Sequence, residues 1–140
     1  MPILLVEDDD NDVLLIKRAF RKANIMPLMS IVSDGDEAVA YLSQTGQYKD
    51  IDRFPIPLLV LLDLKLPRRS GLEVLAWIRQ QPKLRRLLVV VLTSSQENSD
   101  LARAYDLGVN SYLVKPVDFR DFVSLIELVD AYWFKTNKLP

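Results

Sequence analysis

Short runs that are apolar on nearly every residue alternate along this chain with longer stretches whose apolar residues recur at helical spacing. The runs cover Ile3-Leu4-Leu5-Val6, a short segment Leu28–Val32 with one Ser, residues 58–62, residues 87–92 and Ser111–Val114, which opens on a Ser. Strands apolar on both faces belong to a parallel sheet buried between helices, so the alternation predicts an α/β fold. The first helix is expected over Asp10–Lys22, where Val13, Ile16 and Phe20 share a face and Lys17, Arg18, Arg21 and Lys22 crowd the end that favours cations. Ser33-Asp34-Gly35 reads as a turn leading into a helix over 37–43. Residues 45–57 hold Gly and Pro without periodicity and read as a loop. Ser70-Gly71 opens a third helix carrying Leu72, Leu75, Ala76 and Ile78, closed by Pro82. A fourth helix is expected over 96–107 with Gly108 as its stop, and a last one over 118–135. Together these elements give a doubly wound, five-stranded parallel sheet with helices on both faces.

Four of the apolar runs end on chemically capable residues. The first leads into Glu7-Asp8-Asp9, the third into Asp63, the fourth into Thr93-Ser94 and the fifth into Lys115-Pro116. In open α/β sheets the ligand crevice lies beyond the carboxyl ends of the strands, so these termini are expected to converge. Clustered carboxylates in such a crevice take up protons or bind a hard cation. The chain has no His and no Cys, and an oxygen-only donor set favours Mg²⁺ over zinc. A lysine and a threonine hydroxyl at neighbouring strand ends suit a phosphoryl oxygen, and Asp63 is placed to attack phosphorus.

The ordered set of Val6-Glu7-Asp8, Asp63-Leu64-Lys65-Leu66-Pro67 with Gly71, Thr93-Ser94, Tyr112 and Lys115-Pro116 resembles the receiver domain of two-component response regulators. The resemblance runs from about residue 2 to about residue 130 and implies the flavodoxin-like receiver fold. It further implies that Asp63 is the phosphorylated residue, and that Glu7, Asp8, Asp63 and the backbone carbonyl of Lys65 hold Mg²⁺. Thr93 and Lys115 would bind the phosphoryl group, and Thr93 with Tyr112 would form the switch. The Lys115–Pro116 bond would be cis. The donor would be a sensor histidine kinase or a phosphotransfer protein. The segment before the third strand and the run Tyr132-Trp133-Phe134 are similar to the small regulators that partner bacterial phytochromes. Asp9, Asp10 and Asp12 read only as an acidic helix start, and Lys65 is placed to flank the approach of water to the phosphoryl group.

Length and charge narrow the picture further. A chain of 140 residues is about one domain, so a single stand-alone receiver, similar to the chemotaxis regulators, is expected over 1–140, with 131–140 as a C-terminal extension. Charges are balanced at 18 basic against 19 acidic residues, which gives no ground for DNA binding. No apolar run reaches the roughly 20 residues that cross a bilayer, and a cytoplasmic location is expected. The last helix carries more apolar residues than one stripe needs, from Phe122 to Phe134, which suggests a homodimer. Two other classes fit parts of the pattern. An aspartate-nucleophile phosphatase would place a second acid two residues after Asp63, where this chain has Lys65. A phosphorylation-independent interaction module would keep the fold and lose the site. A signalling switch rather than an enzyme is expected.

Overall fold

The computed structural model describes residues 1–140. Strands β1 (Pro2–Val6), β2 (Leu28–Val32), β3 (Leu59–Leu62), β4 (Leu88–Thr93) and β5 (Ser111–Val114) alternate with helices α1 (Asp10–Lys22), α2 (Gly35–Ser43), α3 (Gly71–Gln80), α4 (Asn98–Asp106) and α5 (Phe119–Val129). All strand pairs are parallel, in the order β2-β1-β3-β4-β5. This is the flavodoxin-like order, in which the chain reverses direction across the sheet between β1 and β3 and opens a crevice there.

The pleat sends alternate residues to opposite faces, and each face has its own core. Leu4, Val6, Val60, Leu62, Val89 and Val91 pack with Ala38, Leu42, Leu75, Ile78 and Ala104 of α2, α3 and α4. Ile3, Leu5, Leu59, Leu61, Val90 and Leu92 pack with Ile16, Ala19 and Phe20 of α1 and Phe122, Ile126 and Val129 of α5. Burial on both faces explains why β1, β3 and β4 read as unbroken apolar runs, while the edge strands β2 and β5 are only partly buried. No helix is long and apolar enough to cross a membrane.

Helix starts follow their expected chemistry. Asp9, Asp34, Ser70 and Asp118 each accept backbone N–H bonds at the first turn of α1, α2, α3 and α5. Gly108 takes φ +92° just after α4, the left-handed conformation that ends a helix. Arg79, near the end of α3, ties the loops together by donating to the carbonyls of Gly108, Arg85 and Leu87 and to Asn110 Oδ1.

Two segments differ from expectation. Residues 45–57 contain a 3₁₀ turn, Gly46–Tyr48, whose Tyr48 ring is buried and meets Phe54 edge-on while Phe54 meets Tyr41 the same way. Three aromatics from separate places along the chain form this cluster, so no local period announces it. The last helix does not run straight to residue 135. It ends at Val129 and widens into a π turn, Asp130–Phe134, with buried Asp130 paired to Lys135 at 3.0 Å. Trp133 and Phe134 pack against the second core, so only part of the expected apolar surplus, chiefly Leu128 and Tyr132, faces solvent.

Candidate functional site

Strand register brings the site together. Val6 pairs with Leu62 and Thr93 with Val114, so Glu7, Asp63, Thr93 and Lys115 stand side by side where the strands stop. Backbone bonds extend the ladder by one residue: Asp63 N–H donates to the Val6 carbonyl and Lys115 N–H to the Thr93 carbonyl. The resulting pocket of about 210 Å³ is lined by Glu7, Asp8, Asp9, Asp12, Asp63, Lys65, Thr93, Ser94 and Lys115, none of them apolar.

The Lys115 side chain is only 6% exposed, and its ammonium meets Glu7 Oε1 at 2.6 Å, Asp12 Oδ2 at 2.7 Å and Asp63 Oδ2 at 2.8 Å. The other Asp63 oxygen accepts from the Thr93 hydroxyl at 2.7 Å and from the Lys65 N–H at 3.3 Å. Oxygens of Glu7, Asp8 and Asp63 can all lie within 4.8 Å of one another, with Asp8 exposed at the mouth. Three hard oxygen donors at that spacing fit a divalent cation with part of its water shell retained.

Electrostatics divides the carboxylates. Burial pushes the Glu7 carboxyl up to about 7, and the negative charge of Asp63 adds to this against the opposing pull of Lys115. Burial also acts on Asp63, but the bonds from Lys115 and Thr93, the charge of Lys115 and the Lys65 N–H outweigh it and hold that carboxyl below its ordinary range. For Lys115 burial favours the neutral amine, and bonds to Asp12, Asp63 and Glu7 reverse this and raise it above the usual ammonium value. Metal-free and near neutral pH, Asp63 is therefore an anion while Glu7 shares a proton with water. An ionised carboxylate beside a fixed ammonium and a hydroxyl donor is suited to accept an electrophile whose oxygens those donors can bind.

Glycines let the loops close around Asp63. A Cβ on Gly71 would stand 2.1 Å from the Asp63 carbonyl oxygen, and one on Gly35 would stand 1.9 Å from the Arg69 carbonyl oxygen. The loop after β3 is further tied to α2 by the pairs Arg68–Asp34 and Arg69–Asp36.

Glu7, Asp8, Asp63, Lys65, Thr93 and Lys115 all line one pocket, as the strand ends predicted. Tyr112 stands outside it, half-buried, its hydroxyl donating to the Ser95 carbonyl at 3.0 Å. Two expectations need correction. No peptide bond is cis, so Lys115–Pro116 is trans. Trans is the isomer favoured before proline, by about 0.5–1 kcal/mol. Asp12 is more than part of a helix start, because the first turn of α1 carries it onto Lys115. Asp10 stays outside the pocket and Asp9 caps α1. Sequence reasoning also missed Ser95 and Asp100, which bond to each other at 2.6 Å beside the pocket. Lys65 sends its side chain to Asp100 at 3.5 Å, and no second acid occupies the position a phosphatase would use.

The sheet order, the paired acids at β1 and the Asp, Thr and Lys at the next three strand ends define a response regulator receiver. The chain belongs to this family, whose model, described as the response regulator receiver domain, matches residues 3–127. Among curated proteins it is 41% identical over 138 residues to response regulator Rcp1 of Synechocystis sp., covering 99% of this chain and 92% of that one. The solved Mn²⁺-bound form of Rcp1 superposes with TM-score 0.88 at 40% identity, covering 99% of this chain and 98% of that one. The phosphorylated cyanobacterial phytochrome response regulator RcpA superposes with TM-score 0.90 at 40% identity, covering 99% and 97%. RPA3017, a response regulator in red light signalling of R. palustris, superposes with TM-score 0.94 at 35% identity, with the same coverage. Stand-alone receivers of this kind are generally signalling proteins of two-component systems.

Proposed function

We propose that this chain is a phosphoryl-accepting switch in which Asp63 takes the phosphoryl group from a phosphohistidine of a partner histidine kinase or phosphotransfer protein. The observation that carries this is the buried Asp63 carboxylate, held between the Thr93 hydroxyl at 2.7 Å and the Lys115 ammonium at 2.8 Å within an acidic pocket. Residues 1–140 contain no His, so the donor imidazole lies outside them. An Asp63 oxygen forms a bond to phosphorus as the phosphorus–nitrogen bond breaks, its electron pair staying on the imidazole. Lys115 and Thr93 then turn their donors to the transferred oxygens. Glu7, Asp8, Asp63 and the Lys65 carbonyl would hold Mg²⁺, which when bound neutralises charge on the phosphoryl oxygens. As Thr93 moves, Tyr112 shifts its packing, and the new phosphate bonds supply the differential contacts a population shift requires.

Incubation with Mg²⁺ and acetyl phosphate, followed by intact-mass spectrometry, tests this reading. A phosphate adduct that requires Mg²⁺ is expected. No adduct with either the small donor or a phosphohistidine protein would leave a receiver-shaped interaction module.

The raised Glu7 carboxyl gives a pH prediction. Below about pH 7 the ion must displace a proton from Glu7, and above it there is none to displace, so Mg²⁺ affinity should rise as pH rises and then level off. Calorimetry in buffers of different ionisation enthalpy should show proton release near pH 6 and little near pH 8, limits on the order of one unit either side of that midpoint. Constant affinity and no proton release across that range would remove Glu7 from the site.

Similarity to phytochrome regulators supports a phytochrome-type kinase as the donor, and the cytoplasm is the proposed compartment. Exposed Leu101 and Tyr105 on α4, Val114 on β5 and Leu128 on α5 support signal output through protein contacts on these elements, without DNA. Leu128 and Tyr132 also support a homodimer through the last helix. Sedimentation velocity should show a dimer that Leu128→Glu disperses; a monomer at every concentration, with and without phosphodonor, ends that part.

A further inference from the structure

Ser95 makes four hydrogen bonds, one of them a long one from the Glu97 N–H to its Oγ at 3.4 Å. Its N–H donates to Thr93 Oγ1 at 3.3 Å, its carbonyl accepts from the Tyr112 hydroxyl at 3.0 Å, and its own hydroxyl donates to Asp100 Oδ2 at 2.6 Å. Thr93 passes the connection to Asp63 at 2.7 Å. From Asp63 the Lys65 N–H leads back, through the Lys65 ammonium, to Asp100. Asp63, Thr93, Ser95, Asp100 and Lys65 thus close a ring, with Tyr112 attached at Ser95.

Asp100 lies in the first turn of α4, where a carboxylate ordinarily serves the helix dipole or the free backbone N–H groups. Here its oxygen goes instead to a side chain of the preceding loop. The residue at the N-cap, Glu97, makes no side-chain cap bond, so α4 is not fastened there in the usual way. Asp100 is 9% exposed and its bond to Ser95 is short, whereas Lys65 is 67% exposed and stands 3.5 Å away. A short hydrogen bond to a buried carboxylate outweighs an ion pair open to solvent, so Ser95 is the partner that matters.

We infer that Asp100 is a positioning residue of the switch: by gripping the Ser95 hydroxyl from α4 it holds the Ser95 backbone against both Thr93 and Tyr112. This rests on the phosphoryl-accepting reading of Asp63. Asp100 meets Lys65 only through the ammonium and not through the backbone carbonyl proposed for the metal, and it does not line the pocket that would receive the phosphoryl group. It sets how readily the Thr93 hydroxyl is presented, and it links that hydroxyl to α4.

The test compares wild type, Asp100→Ala, Ser95→Ala, the double variant and Asp100→Asn. Phosphorylation by acetyl phosphate is followed at saturating Mg²⁺, with Mg²⁺ affinity and the thermal melt measured on each protein. Each single alanine variant should slow phosphorylation about tenfold, the scale expected when a charge-assisted bond that orients a catalytic donor is lost. The double variant should be about as slow as the slower single one, because the Ser95–Asp100 bond is lost in both and the weaker contacts each also loses, to the Glu97 N–H and to Lys65, add little. Asn keeps an oxygen for Ser95 and should restore most of the rate, with Mg²⁺ affinity unchanged throughout. A wild-type rate in Asp100→Ala, losses that multiply in the double variant, or a parallel fall in Mg²⁺ affinity would each overturn the inference. Should Asp100→Ala fail to fold, a wild-type rate in folded Ser95→Ala would do so. Absence of any adduct on wild type is a distinct result, since it removes the phosphoryl-accepting reading itself.

Discussion

Asp63→Asn should abolish the Mg²⁺-dependent phosphate adduct while leaving a folded protein. The amide matches the carboxylate in shape and can keep its oxygen for Thr93, while its NH2 replaces the oxygen that faced the Lys115 ammonium and leaves that ammonium to its other partners. It lacks the charge that makes Asp63 a nucleophile, and no other carboxylate in the pocket has both a hydroxyl and an ammonium directed at it. Lys115 keeps Glu7 and Asp12 as partners, so no buried cation is stranded. Losing the neighbouring charge should also bring the Glu7 carboxyl down from about 7 toward its ordinary value. Intact-mass spectrometry checks the first effect and titration the second. An adduct of undiminished yield on the variant would mean that phosphorus is carried elsewhere.

Lys115→Met should have the second largest effect, on chemistry and stability together. Three carboxylates meet this ammonium at 2.6 to 2.8 Å, and methionine fills the space without the charge. Breaking a buried pair by removing one partner costs about 3–5 kcal/mol, although protonation of Glu7 can relieve part of this. Without Mg²⁺ the variant should therefore unfold at lower urea concentration than wild type. Its deficit should grow as pH rises through the Glu7 value, because deprotonation then leaves one more uncompensated charge. Mg²⁺ should stabilise it more than it stabilises wild type, since the pocket is more negative. Phosphorylation should remain slow even at saturating Mg²⁺, because the ammonium that meets the transferred oxygens is gone. Urea melts in EDTA and in Mg²⁺ at two pH values check this. Identical melts for both proteins in EDTA would show that the three contacts carry no stability.

The two alanine variants at Ser95 and Asp100 probe a different layer. Asp63 and Lys115 act on the phosphoryl group directly, whereas Ser95 and Asp100 act on it through Thr93. Their contrasting Mg²⁺ behaviour separates the layers: Lys115→Met should alter metal binding, and Asp100→Ala should not.

Much of the site was legible because each residue ends an apolar run. Val6-Glu7-Asp8, Leu62-Asp63, Leu92-Thr93 and Val114-Lys115 are local patterns, and a parallel sheet gathers strand ends at one edge whatever the side chains do. Caps such as Asp34 and Ser70, and the stop at Gly108, were legible for the same reason, since their partners lie within a few residues. Other features rest on contacts between distant residues. Asp12 meets Lys115 across 103 positions, and Tyr48 packs with Phe54 and Tyr41 from a segment without periodicity. The trans Lys115–Pro116 bond departs from the family expectation, and the dipeptide alone does not set the isomer, because trans and cis differ by only about 0.5–1 kcal/mol before proline.

By itself, then, the sequence determined the strand and helix order, the parallel sheet, and the identity of the acids, hydroxyl and lysine at its edge, since period and strand-end chemistry are local properties. Only the tertiary structure decided which carboxylate is charged, that Asp12 belongs to the pocket, that Trp133 and Phe134 fold back on the core, and that Ser95 and Asp100 join Thr93 to α4. Protonation and hydrogen bonding depend on burial and on distances between residues far apart in the chain, and those exist only once the chain has folded.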